Sequence, residues 1–585
     1  MADVQALQPI RRGRWLYAVI ALIIGVLLVR SFYLQVFRYT YFHQAALADQ
    51  FKDYMIPAPR GLIEAHSGND VVPIVLNQKL YTVYADPGLV QHPDKIAPVL
   101  ASVLGGNVDD YAKKIQTPNT RYVVLAKRVA ADKKTALLTH GFPGIVAQEM
   151  TYRTYPNGQL ASQVLGFVND DGQGVYGVEQ TLNKKLSGQN GQLKAVTDVN
   201  GVPLAANTDN VQRAPVAGSN VVLTIDMAMQ KQLEGILAQG VKDAKSNSGS
   251  ALIIEANTGA IKAMANWPTY DPTNYSQVSD PNVFNNAAVS SPLEVGSIMK
   301  TLTTAAALDQ GVVHADQTYN DPAHWTVDGF TIKNVEEDGG PGTKSIADLL
   351  NLSLNTGATW ELMQMSKPGG TEINQKGRDA WHDYLVNHYR LGRPTGIEQG
   401  YEATGIIPDP DKGYALDLRY ANTTFGQGMS ATPLQMAAAF SAVVNGGTYY
   451  QPHLVDQFIG PDGKVTNNPP KVVEKNVVSA NVSKEMQSLL QYVVEKHYLR
   501  FDQTAYMVGG KTGTAQIPKS GGGYEDSDFN GTYMGFVGGD SPQYVIMVRV
   551  NDPKIGGYAG TSAAQPIFAS LAHMLINNFG VAPRS

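Results

Sequence analysis

The stretch Trp15–Val29 (WLYAVIALIIGVLLV) constrains this chain most, because apolar and aromatic residues fill it without a break. A helix needs roughly 20 residues to cross the hydrocarbon core of a bilayer. Counted through Arg30, the mostly apolar run reaches Phe37. A span of that length puts Arg30 near its outer end, where a long side chain reaches the headgroups. Arg11, Arg12 and Arg14 crowd the near side. Arginines just before a first span predict a cytoplasmic N-terminus and a chain that continues outside. A buried core helix would have no use for that asymmetry. A cleaved signal peptide needs a small-x-small site soon after the run, and the nearest, Ala46-Leu47-Ala48, lies far beyond it. The expectation is an uncleaved signal anchor: 1–14 a cytoplasmic tail, 15–37 a single transmembrane helix, and the rest extracytoplasmic.

With 585 residues the chain is too long for one compact domain. Apolar residues make up 43% and charged residues 17%, a balance of folded domains. The net charge of −5 gives no basic stripe, so no nucleic-acid partner is expected. The absence of cysteine excludes disulfides, thiolate catalysis and cysteine metal sites. The 11 histidines form no HExxH-type spacing, so no metal is expected.

Up to about residue 215, short β-rich runs alternate with turns. Leu80–Ala85 (LYTVYA) is closed by Asp86-Pro87-Gly88, and Asn157-Gly158, Asp171-Gly172 and Asn200-Gly201 punctuate the remainder. No acid–base set converges there, which marks 38–215 as an α+β spacer or docking domain. The texture changes at Ala214–Asn220. Beyond it, Val221–Ile225, Ser250–Ile254, Ala260–Ala265, Thr532–Val537 and Tyr544–Val550 read as strands, with Asn257-Thr258-Gly259 a turn. Met227 to about Val241 and Pro566–Asn577 read as helices, and Gly521–Gly523 as a loop tip. Strands at both ends of 216–585 with a helical middle predict one sheet covered by helices.

Three short motifs in that second part carry chemistry. Ser297-Ile298-Met299-Lys300 is the only Ser-x-x-Lys in the chain. On a helix these side chains share a face, with β-carbons roughly 5–6 Å apart. A serine hydroxyl is a weak nucleophile until a base takes its proton. Lysine acts as that base only when its pKa falls from about 10.4, which burial or a second cation achieves. Taken alone, the motif fits a helix N-cap with an exposed lysine equally well. Ser353-Leu354-Asn355 is distinguished only by position, after the helix-like run Ser345–Asn351. Gly509–Thr514 (GGKTGT) holds the only Lys-Thr-Gly, led in by the strand-like Tyr506-Met507-Val508. Its glycines would let a substrate backbone approach the strand. Lys511 and Thr514 offer a charge and a hydroxyl to a carboxylate.

In this order the motifs match the SxxK, SDN and KTG set of β-lactamases and penicillin-binding proteins. The chain resembles a class B penicillin-binding protein, a monofunctional peptidoglycan D,D-transpeptidase with one membrane anchor. Ala251–Tyr275, Thr423–Pro433 (TTFGQGMSATP) and Arg153–Gly177, with Gly174–Glu179, carry further likeness. Asp328–Val335 (DGFTIKNV) is more similar to the septal subgroup than to the elongation subgroup. Three departures stand out. Val295 replaces the proline before Gly296, Leu354 sits where a serine is frequent, and Arg60–Gly68 keeps only part of an RGxIxDRNG block.

The resemblance implies an α+β chain with an elongated pedestal (dimerisation-type) domain at 38–215 and a β-lactamase-like transpeptidase domain at 216–585. It implies Ser297 as nucleophile, Lys300 as base, Ser353 as proton relay and Asn355 as a holder of the substrate amide. Lys511, Thr512, Gly513 and Thr514 would bind the donor peptide, and the backbone N–H groups of Ser297 and Thr514 would form an oxyanion hole. No cofactor is implied. Stem peptides would be substrates, β-lactams covalent inhibitors, and a polytopic membrane glycosyltransferase and division proteins the partners. Two rival readings share these residues. One is a β-lactam-hydrolysing or β-lactam-sensing acyl-enzyme, which rapid nitrocefin turnover would mark. The other is a non-catalytic division scaffold, which growth on a Ser297→Ala allele would mark.

Overall fold

The computed structural model describes residues 10–42, 51–196, 211–334, 340–497, 499–519 and 523–585. Met1–Pro9 of the expected tail, Ala46-Leu47-Ala48, the Asn200-Gly201 turn, Val335, and Gly521 and Gly522 of the expected loop tip lie outside them. The chain divides into two compact units, one from 1–59 with 188–217, the other from Arg60–Ser187 with Gly218–Ser585.

In the first unit, the apolar run forms helix α1 (Ile10–Phe32), followed by a π-helical turn at Tyr33–Phe37. Gly13–Phe37, 25 residues with mean hydropathy 2.2, is long and apolar enough to cross a membrane. Arg30 lies in the last turn of α1 with its guanidinium 5.7 Å from the Tyr33 ring centre. Arg38 donates to the Tyr33 hydroxyl at 3.3 Å. Aromatic and arginine side chains grouped at one end of a span are the pattern of a membrane–water interface. A separate three-stranded sheet pairs β1 (Phe51–Ile56) with β6 (Gly191–Val196), and β6 with β7 (Val211–Arg213), all antiparallel.

The second unit holds two large sheets. In the first, β2 (Ile63–Ser67) and β3 (Asp70–Ala85) form a hairpin, and β3 also pairs β4 (Val123–Val129) and β5 (Ile145–Thr154). Leu80–Ala85 is the end of β3. On its other side β2 runs parallel to β8 (Asn220–Asp226), which pairs with β15 (Val455–Ile459). This sheet therefore joins strands from either side of the change in texture near residue 215.

A buried ion cluster braces the start of this unit. The Glu179 carboxylate accepts from Arg153 Nε at 2.7 Å and from Arg60 Nε at 2.8 Å. Arg60 also reaches Asn183 Oδ1 at 2.8 Å, and Arg153 reaches Asn77 Oδ1 at 2.9 Å. The degraded block thus keeps the arginine that pairs with Glu179.

The second sheet runs β10-β9-β19-β18-β17: β10 (Ile261–Trp267), β9 (Ser248–Glu255), β19 (Pro542–Asn551), β18 (Tyr524–Gly538) and β17 (Met507–Pro518), antiparallel throughout. The β9–β10 turn needs glycine: Gly259 has φ +78°, and a Cβ there would lie 2.7 Å from the Gln451 carbonyl. Side chains alternate between the faces. Ala251, Ile253, Ile546 and Val548 pack on α2 (Met227–Asp243) and α8 (Gln565–Asn578). Leu252, Ile254, Val545 and Met547 join the core beneath α3 (Met299–Asp309), α6 (Pro433–Val444) and α7 (Ala480–Lys496). The expected helix-covered antiparallel sheet is present, and β17 is one of its two edges.

Candidate active site

Ser297 occupies a single 3-10 turn, Gly296–Ile298, that runs directly into α3. Two glycines let that turn form. Gly296 has φ +67°, and a Cβ on it would lie 2.7 Å from the Thr514 carbonyl of β17. Gly426 has φ +81°, and a Cβ on it would lie 2.2 Å from the Gly296 carbonyl. The Gly296 N–H donates to the Gly426 carbonyl at 3.1 Å. The TTFGQGMSATP segment therefore seats the serine turn. Val295 is fully buried with φ −82°. Its N–H makes no hydrogen bond among the described residues. A proline would lose no donor at this position, and valine replaces it without breaking the turn.

Every residue from Met299 to Leu308 of α3 is buried, Lys300 included. Its amine lies 3.0 Å from Ser297 Oγ, 2.8 Å from Asn355 Oδ1 and 3.2 Å from Ser353 Oγ, and it also donates to the Ser353 carbonyl. An ammonium has three protons and no lone pair. Both serine hydroxyls lie within hydrogen-bond reach of it and can exchange a proton with it. The first two motifs, 53 residues apart for Ser353 and 55 for Asn355, therefore meet on one nitrogen.

Local structure explains how Ser353 and Asn355 reach Lys300. Helix α4 (Ile346–Asn351) opens on a Ser345–Asp348 capping box. After it, Ser353 adopts φ +58°, a left-handed conformation that costs a non-glycine residue of order 1–3 kcal/mol. The chain then enters α5 (Asn355–Ser366). Leu354 between them is fully buried, so the departure from serine fills core space.

Three residues that sequence reasoning missed hold the head of α5. Thr356 donates to Asp321 Oδ2 at 2.6 Å and accepts from Asn334 Nδ2 at 2.7 Å. Asp321 ends β11 (Thr318–Asp321), and Asn334 follows β13 (Phe330–Lys333), the partner of β12 (His324–Val327). Asn355 Nδ2 donates to the Lys333 carbonyl at 3.2 Å. The DGFTIKNV segment thus contributes directly to holding Asn355. Its composition signalled a subgroup and gave no sign of this contact.

The third motif lies on β17 beside the serine turn. Lys511 is fully buried, with its amine 3.2 Å from the Thr512 carbonyl and 3.5 Å from the Thr512 hydroxyl. The Thr514 hydroxyl accepts from the Gly560 N–H at 3.0 Å. Gly513 meets a need inside the fold. A Cβ on it would lie 2.3 Å from Thr532 Oγ1 and 2.8 Å from the Val295 carbonyl. The chain's own atoms demand glycine at 513.

Two further acids flank the cluster. Glu294 accepts from the Gly428 N–H at 2.9 Å and from the Tyr524 hydroxyl at 3.1 Å, and burial raises its pKa. Glu361 on α5 is fully buried, and neither carboxyl oxygen has a hydrogen-bond partner among the described residues. Burial pushes its pKa up to about 8, against the pull of Thr304 and of the Lys300 charge. His497 Nε2 donates to the Asn351 carbonyl, 3.1 Å away, and its pKa is lowered by burial and by Lys511.

Known proteins with this sequence pattern match most of the chain. The model of the penicillin binding protein transpeptidase domain matches residues 249–573, and that of the penicillin-binding protein dimerisation domain matches 55–223. Stage V sporulation protein D of Bacillus subtilis is 31% identical over 88% of this chain and 78% of its own length. Peptidoglycan D,D-transpeptidase FtsI of Escherichia coli is 26% identical over 90% of this chain and 85% of its own. The crystal structure of penicillin binding protein 2X from Streptococcus thermophilus, 24% identical, shares the fold, with a TM-score of 0.70 over 90% of this chain and 80% of that one. The chain belongs to the class B penicillin-binding proteins.

Proposed function

We propose that Ser297 is the acylated nucleophile of a membrane-anchored serine D,D-transpeptidase that cross-links peptidoglycan stem peptides. The observation that carries this reading is the buried Lys300 amine, 3.0 Å from Ser297 Oγ and shared with Ser353 and Asn355. That distance lies within direct proton-transfer reach.

In this reading Lys300 takes the Ser297 hydroxyl proton as Oγ attacks the carbonyl between two D-alanines. The carbonyl oxygen gathers negative charge, which the backbone N–H groups of Ser297 and Thr514 stabilise; loss of one such donor costs roughly 10²–10³ in rate. The C–N bond breaks, and the leaving D-alanine amine receives its proton through Ser353. An ester on Ser297 remains. A stem-peptide amine attacks that ester, the C–O bond breaks, and Ser297 Oγ recovers a proton. Asn355 holds the donor's amide. Lys511, Thr512, Gly513 and Thr514 lie along an edge strand, to which an extended peptide adds by strand pairing. Their charge and hydroxyls bind its terminal carboxylate. β-Lactams acylate the same serine.

The chain's organisation follows: tail 1–14 in the cytoplasm, anchor 15–37, non-catalytic pedestal 38–215 and catalytic domain 216–585 outside. In this reading the enzyme works with a separate glycan-polymerising membrane protein, and the DGFTIKNV segment favours the septum as its place. Purified protein incubated with fluorescent penicillin is expected to carry covalent label. Ser297→Ala, with unchanged melting temperature, is expected to lose it; persistent label would refute Ser297 as nucleophile.

A further inference from the structure

A side chain of the neighbouring strand holds the outer end of β17. Ala515 and Gln516 face Asn530 and Phe529 of β18, but the next pair is Pro518 with Tyr524, so β18 takes five residues where β17 takes two. A shift of that kind breaks the ladder and bends the strand. Past it, the Tyr524 hydroxyl donates to Glu294 Oε1 at 3.1 Å, across 230 residues of chain. Glu294 stands three residues before Ser297, and both its neighbours are fixed. Leu293 exchanges two backbone hydrogen bonds with Ala431, each 3.0 Å long. The Val295 carbonyl accepts from Thr532 Oγ1 at 3.0 Å. Glu294 Oε1 also accepts from the Gly428 N–H at 2.9 Å, while Oε2 is buried with no partner among the described residues. The end of β17 is therefore tied by one hydroxyl to the segment that leads into the serine turn.

That end is the open part of the strand. From Met507 to Lys511 every residue of β17 is buried, and from Thr512 exposure alternates and then rises to Pro518. A donor peptide whose terminal carboxylate sits at Lys511–Thr514 finds the inner half of β17 closed to it. Its residues upstream of the D-alanines run toward Gln516–Pro518, pairing with the strand. We propose that the Tyr524–Glu294 hydrogen bond fixes the outer end of β17, and that Tyr524 is thereby a positioning residue for the part of the donor peptide upstream of its D-alanines. A short acyl donor stops before that end and is indifferent to where it lies. A longer donor lies along it. The placement of the peptide rests on the function proposed above; the tie between Tyr524 and Glu294 does not.

The test compares the full-length protein in detergent with its Tyr524→Phe variant, which keeps the ring and removes the hydroxyl. Hydrogen exchange read by mass spectrometry is expected to quicken about three- to ten-fold between Ala515 and Lys519, at an unchanged melting temperature. Two thioesters of D-alanine with thioglycolate address the substrate: one bears an acetyl cap, the other three further residues ahead of the D-alanine. For the long thioester the variant is expected to raise KM about three- to ten-fold at unchanged kcat. For the short one both constants are expected to stay as in the wild type, as is the rate of fluorescent-penicillin labelling. Unchanged exchange overturns the tie. Equal changes on both thioesters, or none on the long one, overturn the assignment of Tyr524 to the upstream peptide. Wild-type protein that turns over neither thioester and takes no penicillin label refutes the function proposed above and the peptide placement with it, and the exchange measurement then decides the tie alone.

Discussion

Glu179 and Lys300 are both fully out of solvent, and they differ in what surrounds them. Glu179 meets two guanidiniums, from Arg60 and Arg153. Among the described residues, Lys300 donates to Ser297, Ser353 and Asn355, all uncharged oxygens. A nearby acid, Glu361, has its pKa pushed up to about 8 by burial, so it is mostly protonated at neutral pH. The first arrangement suits architecture, since a buried pair loses stability sharply when one partner goes. The second suits a proton shuttle, since neutral hydroxyls can both give and receive.

The comparison can be broken at several points. The largest expected effect is on the architectural cluster. Glu179→Gln leaves two buried arginines undercompensated and is expected to destabilise the fold by about 3–5 kcal/mol in denaturant titration. The fraction that stays folded should acylate at the normal rate. An unchanged midpoint would show that the cluster does not brace the unit.

Glu361 sharpens the contrast through pH. A carboxyl whose folded pKa lies above its unfolded value is most stabilising below the unfolded value. Its contribution is lost as pH rises toward the folded one. With the shift from 4.5 to about 8, the wild type is expected to lose roughly 2–3 kcal/mol from this group between pH 5 and pH 7. Glu361→Gln, which cannot ionise, is expected to flatten that part of the stability profile. Parallel profiles for wild type and variant would show that Glu361 ionises freely.

Thr356→Val tests whether the α5 head must be held for Asn355 to meet Lys300. Acylation by penicillin is expected to slow about ten-fold, as small misplacements in active sites do, with a smaller change in melting temperature. An unchanged acylation rate would place the Thr356 network outside the working site.

Much of this arrangement was legible in the sequence. The apolar run became α1, and Ser250–Ile254, Thr532–Val537 and Tyr544–Val550 lie inside β9, β18 and β19, because periodicity is a local property. Three of the candidate site residues, Ser297, Ser353 and Asn355, converge on the amine of a fourth, Lys300. What could not be read depends on distant partners. The Arg60–Glu179 pair spans 119 residues, and nothing in either neighbourhood names the other. The same holds for Asp321 and Thr356, 35 residues apart. That Gly513 must clear Thr532 and Val295 was equally hidden, since both lie far from it in the chain. The valine at 295 conflicted with the family pattern until its backbone showed φ −82° and a spare N–H. Glu361 carried no signal at all, since an acid in a helical segment ordinarily faces water.

The central claim is that Lys300 is the base for Ser297, and the acylation rate of Lys300→Ala tests it most directly. Stopped-flow measurement with a fluorescent penicillin, on variant and wild type of matched melting temperature, is expected to show a loss of about 10²–10⁴-fold. A well-folded Lys300→Ala protein that acylates at the wild-type rate would contradict the account.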